Sequence, residues 1–354
     1  MIPSTYMNPV YGVEEVNSVA DYMSSGGWIM EHTKTREMEQ LICDYTGARF
    51  AHMVPSATQG LVLASMLAEL KPDEQFAVPA YTQAATANGG ILMGAKPVIV
   101  DVDSETYTID FEQIPDTVRV VFVASINGRL PADAYEQIRK LQARGCFVIE
   151  DAAQSLGSWI GNRHCGTIGD VGVFSFGAPK IITTGQGGCI VTDNQVLSER
   201  ITAIKNFGRT VRAGEVYNVF GSNFKFTDLQ AAFGCEQMRK LPSIAKHKKD
   251  IFQKYRQNLE FYCDFVNTNL SEVTPTYPEI LVDNQTELVE ILKRENIGCR
   301  TCYSSLSSQP YHSQFATPTP VADSIANRGI ILPSQADLEL STVDEICRLI
   351  VSNV

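Results

Sequence analysis

Short apolar runs alternate with longer amphipathic stretches along most of the chain. Runs at 50–54, 76–79, 97–101, 118–125, 146–150, 171–176 and 189–192 are rich in Val, Ile and Phe and too short for helices, and they predict strands. Between them, 56–70, 82–93, 132–144 and 195–206 carry helical periodicity. Strands separated by helices imply an α/β fold with a mostly parallel central sheet covered by helices on both faces. After Thr227 the pattern changes to two long amphipathic stretches, LQAAFGCEQMRKL and IAKHKKDIFQKYRQNLEFY, which are expected to lead into a smaller C-terminal α+β domain. At 354 residues the chain is long for one core. A large domain over 1–235 and a small domain over 236–354 are therefore expected.

One lysine stands out within this pattern. The segment GDVGVFSFGAPKIITTGQGGCIVT places Lys180 in a loop between two apolar strands. Taken alone, a solvated loop lysine explains it equally well. Upstream, CFVIEDAAQ sets Asp151 at the carboxyl end of a predicted strand, where open α/β sheets place their ligands. A lysine able to form a Schiff base and an acid able to keep a pyridinium nitrogen protonated are what pyridoxal phosphate (PLP) requires. The third requirement is an anion site. PSATQG follows the run at 50–54 and opens a helical pattern with Ser56 or Thr58 as its cap, so unpaired amides and the helix dipole converge there. Phosphate turn, strand-end acid and lysine follow one another in chain order.

These segments carry a resemblance. SGGWIMEHTKTREMEQ, VPSATQGLVLA, VPAYTQAATANGGILMGAKPVIVDVDSETYTID, NGRLPAD, VIEDAAQSLGS, GTIGDVGVFSFGAPKIITTGQGG and GSNFKFTDLQAAFGCEQM run almost end to end. Together they resemble the DegT/StrS family of PLP-dependent sugar aminotransferases, of the PLP-dependent transferase fold type I. The resemblance implies that Lys180 is the Schiff-base lysine and proton carrier and that Asp151 holds the pyridinium nitrogen. It places Gln154 beside the ring and its O3′, and Ser175, Thr58 and the backbone at Gln59 on the phosphate. Asn223 matches an asparagine that reaches the phosphate from the neighbouring subunit, which implies a homodimer with shared active sites. Some relatives carry histidine at the position of Lys180 and run a dehydration, so lysine there favours transamination.

The activity this implies is transfer of an amino group from L-glutamate to the keto group of a nucleotide-linked keto-deoxy sugar, in amino-sugar biosynthesis for surface polysaccharides or natural products. Two segments depart from the family pattern. Gln83 stands where relatives usually carry an aromatic residue that stacks on the ring, with Tyr81 as a nearby substitute, and 303–310 reads YSSLSSQP where relatives often carry tyrosine, prolines and histidine. They keep open a second reading, a PLP aminotransferase for a cyclitol, a free keto sugar or a small phosphorylated ketone. A third, a non-enzymatic regulatory protein with this fold, is opposed by the joint presence of Lys180, Asp151 and Ser175.

Charge and cysteine content narrow the partners. A net charge of −11 argues against nucleic acid or an anionic membrane as the main partner. Lys205, Arg209, Arg212 and Lys225 are candidates for a local basic pocket, each against the plainer reading of a solvated surface charge. The nine cysteines are scattered; Cys299 and Cys302 form a single CxxC with no second pair or nearby histidine, which does not point to a metal, and buried thiols in a reducing cytoplasm are expected. The opening residues show no basic-then-apolar pattern and no apolar run approaches about 18 residues, so neither signal peptide nor membrane span is expected. Among the five histidines, none with metal-binding spacing, His312 lies in the expected substrate loop, as does Tyr303; Trp28 is a further candidate for the cleft rim.

Overall fold

The computed structural model describes residues 5–210 and 215–354; Arg212 lies outside the described residues. All seven predicted strands assemble into one seven-stranded sheet. In chain order its strands are β1 (Phe50–Val54), β2 (Gln75–Pro79), β3 (Lys96–Val100), β4 (Val120–Ala124), β5 (Phe147–Asp151) and, after a short hairpin of β6 (Trp159–Ile160) and β7 (Arg163–His164), β8 (Val171–Ser175) and β9 (Gly188–Thr192). They lie in the order β1-β9-β8-β5-β4-β2-β3. All neighbours pair in parallel except β9, which runs antiparallel to β8 and β1.

Alternation along the strands divides the core into two faces. On β4, Val120, Phe122 and Ala124 pack with α3 (Ala57–Leu67) and α4 (Ala84–Ile91), while Val121 and Val123 pack with Ile138 and Leu141 of α5 (Ala134–Ala143). Helices thus cover both faces. α1 (Val13–Ser24) and α2 (Thr33–Thr46) lie against the long helix α7 (Asp228–Leu259), and α6 (Gln195–Lys205) lies against β1.

A four-stranded antiparallel sheet forms the C-terminal part, with strands β10 (Asp264–Phe265), β11 (Glu279–Leu281), β12 (Arg300–Thr301) and β13 (Gly329–Ile331). It packs with α8 (Gln285–Arg294), α10 (Leu340–Val351) and the end of α7 around Ile251, Tyr255, Leu292 and Ile346. α9 (Pro320–Arg328) turns its Ala322 and Ile325 toward the large core instead. The two amphipathic stretches after Thr227 are one continuous helix that runs through Pro242. Position 236 falls inside it, so α7 is common to the larger cluster and the small one.

Glu150 fixes the approach to β8. Its fully buried carboxylate accepts the amides of Gly166 (2.8 Å), Ile168 (2.6 Å) and Gly169 (2.6 Å). Such a group is costly to bury unless each oxygen is paired, so these bonds hold the turn that delivers β8, and with it Ser175 and the Lys180 loop.

Candidate active site

The carboxyl ends of the parallel strands converge on one edge of the sheet, and Asp151 is the last residue of β5 there. The residue is 7% exposed. Thr86 Oγ1 donates to Oδ2 at 2.7 Å and the Ala153 amide donates to Oδ1 at 3.2 Å. Thr82 Oγ1 lies 2.7 Å from Thr86 Oγ1, so two hydroxyls one helical turn apart at the start of α4 lead to the carboxylate. Burial raises the pKa of Asp151, and Thr86, Ala153 and the charge of Lys180 oppose that shift.

Lys180 follows Ser175 through a tight turn in which its amide bonds to Gly177 O at 3.1 Å. Its ammonium forms no hydrogen bond or ion pair among the described residues, and burial lowers its pKa against the pull of Asp151. An amine with these properties is more readily neutral, and therefore nucleophilic, than an exposed lysine.

The phosphate turn is brought to the same edge. Ser175 is paired in register with Gly188 on β9. A Cβ at Gly188 would stand 2.5 Å from Ala57 N and 2.6 Å from Ser56 C, so only glycine lets the first turn of α3 sit on this row. Ser56 caps α3 by accepting the Gln59 amide at 3.2 Å, while the Ala57 and Thr58 amides, at the helix start, have no intrahelical acceptor. The side chains of Thr58 and Gln59 are exposed. A helix start with open amides, the Ser175 hydroxyl, a buried carboxylate and an amine without an acid partner are together the donor set that PLP requires, and these residues fit it.

A polar network flanks the acid. Gln154 Oε1 accepts from the Asn127 amide (2.9 Å) and Tyr277 Oη (3.0 Å), and Nε2 donates to Tyr303 Oη at 3.4 Å. Asn127 is buried in the left-handed region at φ 52°, where its side chain pairs with the backbone of Tyr277. Glu279 gathers Tyr81 Oη (3.2 Å), Asn127 Nδ2 (3.0 Å) and the guanidinium of buried Arg129 (2.7 Å). Tyr81 is fully buried and committed to this network, and Gln83 is exposed at the N-cap position of α4. The Tyr81 ring lies against Tyr107 and Tyr303, with ring centres 6.3 and 5.8 Å apart, and Gln83 has no ring to offer.

The substrate-loop segment folds back onto the large core. The Leu306 amide donates to Ala80 O at 2.9 Å, and His312 is buried with Nε2 3.2 Å from Asn88 Oδ1 of α4. Tyr303 is half-buried and points into the Gln154 network.

Among the described residues, Asn223 bonds to none of the residues that form this edge. It is exposed, accepts the Lys225 amide at 3.2 Å and bridges to Asn206. Nearby, Trp28, Lys205, Arg209 and Lys225 line a cavity of about 290 Å³. Lys205 is buried and pairs with Glu31 at 3.2 Å, so it is not a solvated charge. Thr86, Asn127, Tyr277 and Glu279 were not singled out by the sequence. The spacing of Thr82 and Thr86 behind a strand was a usable signal; the pairing of Asn127 with Tyr277 and Glu279, about 150 residues away, left none.

The model of the DegT/DnrJ/EryC1/StrS aminotransferase family matches residues 9–351. An uncharacterized protein of Methanocaldococcus jannaschii is 32% identical over 327 residues, covering 86% of this chain and 84% of that protein. GDP-perosamine synthase of Escherichia coli O157:H7 is 29% identical over 348 residues, covering 95% and 94%. Among solved structures, the aminotransferase TlmJ from Streptoalloteichus hindustanus matches with a TM-score of 0.92 at 25% identity, over 99% of this chain and 98% of that one.

Proposed function

The chain belongs to the DegT/DnrJ/EryC1/StrS aminotransferase family, and we propose that it transfers an amino group from L-glutamate to the keto group of a nucleotide-linked keto-deoxy sugar, in amino-sugar biosynthesis for a surface polysaccharide or natural product. PLP is the cofactor. When bound, it supplies the electron sink that stabilises negative charge on the substrate carbon.

The observation that carries this reading is the pair at the sheet edge. Asp151 is buried and held by Thr86, and Lys180 offers an amine whose pKa burial lowers against the charge of Asp151 and which forms no ion pair among the described residues. In this reading Asp151 keeps the ring nitrogen protonated. Lys180 would hold the cofactor through its Nζ, and the same Nζ would serve as the general base and acid that moves the proton the transfer requires. Thr58, the amide at Gln59 and Ser175 hold the phosphate at the start of α3. Gln154, fixed by Asn127 and Tyr277, would help hold the cofactor's ring. Asn223, which among the described residues bonds to none that form this edge, reaches the phosphate of a second copy in a homodimer.

The nucleotide-linked acceptor is supported by the likeness to GDP-perosamine synthase. Among the described residues no helix is long and apolar enough to cross a membrane; a cytoplasmic site of action is part of the proposal. A half-reaction assay tests it. Enzyme loaded with an amino group by L-glutamate is offered a panel of nucleotide-linked keto sugars, and recovery of the visible cofactor band with one of them is expected. Recovery only with a cyclitol ketone or a small phosphorylated ketone would replace the acceptor.

A further inference from the structure

Arg300, on β12, is held by aromatic rings. Its guanidinium carbon lies 4.7 Å from the ring centre of Tyr303 and 5.6 Å from that of Tyr6. Nε donates to Thr301 O at 3.2 Å. No carboxylate pairs with it among the described residues, in contrast to Arg129, which pairs with Glu279 at 2.7 Å. Ring contacts orient the guanidinium, Tyr6 adds a side-chain hydrogen bond to it, and the remaining N–H groups of that planar fork match a carboxylate.

Both rings lead to the active site. Tyr303 Oη accepts from Gln154 Nε2 at 3.4 Å and lies 3.3 Å from Tyr277 Oη. On the other side, Tyr6 continues into Met7 and Asn8, which line a narrow crevice together with Lys180. A half-buried cation with no carboxylate partner among the described residues therefore stands one aromatic ring away from Gln154. Lys205, Arg209 and Lys225 belong to a different place, the cavity beside Trp28.

We propose that Arg300 receives a carboxylate of the amino donor, so that a short dicarboxylic amino acid is held with its amine toward Lys180. The inference rests on the aminotransferase reading. A phosphate of the acceptor is the competing anion; the fork geometry and the short path to Gln154 favour the donor.

The test uses the PLP-loaded enzyme and its Arg300→Gln and Arg300→Lys variants. Glutarate, a dicarboxylate without an amine, is titrated calorimetrically, and bleaching of the visible band by L-glutamate is measured in parallel. Arg300→Gln is expected to weaken glutarate binding and raise the half-saturating glutamate concentration by about ten- to hundred-fold, the scale of a lost charge-assisted bond. The visible spectrum should be unchanged, and Arg300→Lys should recover part of the loss. L-glutamine and glutamate α-amide then identify the carboxylate: the amide that is already poor for wild type should lose nothing more in Arg300→Gln. Equal donor affinity in variant and wild type would overturn the proposal, as would a defect confined to the keto-sugar half-reaction, which would assign Arg300 to a phosphate. A wild-type enzyme that no amino donor bleaches would instead remove the aminotransferase reading, and this proposal with it.

Discussion

Thr86 donates its hydroxyl proton to Asp151 Oδ2 at 2.7 Å, with Thr82 a further 2.7 Å behind it. The bond fixes the plane of a buried carboxylate and favours its ionised form against burial. Thr86→Val keeps the shape and removes the donor. A hydrogen bond to a charged group contributes about 1.5–3 kcal/mol, so kcat should fall by about ten- to hundred-fold with the protein still folded. Losing a donor that favours the ionised form raises the pKa of Asp151 further, and the acid limb of the pH–rate profile should move to higher pH. An unmoved limb would show that Asp151 is not the group that titrates there.

Asp151→Asn keeps the hydrogen-bonding size of the side chain but removes its charge. Turnover should drop by orders of magnitude while circular dichroism and thermal unfolding stay close to wild type, because a pyridine nitrogen without an acid partner makes the ring a poorer sink. Near-normal rates would mean that another acid faces the ring.

Lys248 gives the protein a pH-dependent stability of its own. It is fully buried on α7, where its ammonium bonds to Thr276 O (2.5 Å), Ser334 O and Ser334 Oγ (3.2 Å) with no carboxylate beside it, and burial lowers its pKa to about 7. In the unfolded chain a lysine titrates near about 10.4. Between these values the unfolded state binds more protons, so stability should climb as pH rises from about 7 toward 10, and should not respond to this group below about 6. Lys248→Met should flatten that rise in denaturant titrations at pH 6, 7.5 and 9. An identical slope in both proteins would show that Lys248 stays charged when folded.

Strand positions, the strand-end acid and the loop lysine were legible because each is a local signal: an apolar run, a residue at its end, and the chain order of turn, acid and lysine. Asp151 and Ser175 both lie at strand ends where the pattern put them. The network around Glu279 was not legible, since Tyr81 is 198 residues away from it in sequence and only the tertiary fold joins them. The two stretches read from the sequence lie on either side of Pro242, and proline inside a helix removes a backbone bond and costs about 3 kcal/mol. Burial of Leu241 and Ala245 beside Pro242 carries the helix through it. Gln83 and Tyr81 show a further limit: pattern alone could not tell that Tyr81 is already engaged by Glu279.

The shared-site proposal predicts complementation. A Lys180→Ala chain still offers Asn223, and an Asn223→Ala chain still offers Lys180, so a mixed dimer holds one site with both defects and one with neither. Mixing the two weakly active variants under conditions of subunit exchange should restore about half of wild-type activity per mixed dimer, by counting sites in a two-fold pair. Exchange proven by mass without recovery, or a fully active monomer in sedimentation, would remove the second chain from the site.

The most direct test of the account is where the cofactor attaches. Purified protein incubated with PLP should absorb in the visible, and borohydride reduction followed by peptide mapping should place the added mass on Lys180, with L-glutamate preventing the label when added first. Lys180→Ala should take up no covalent label and lose turnover. A label on another lysine, such as Lys205 or Lys248, with Lys180 unmodified would contradict the account.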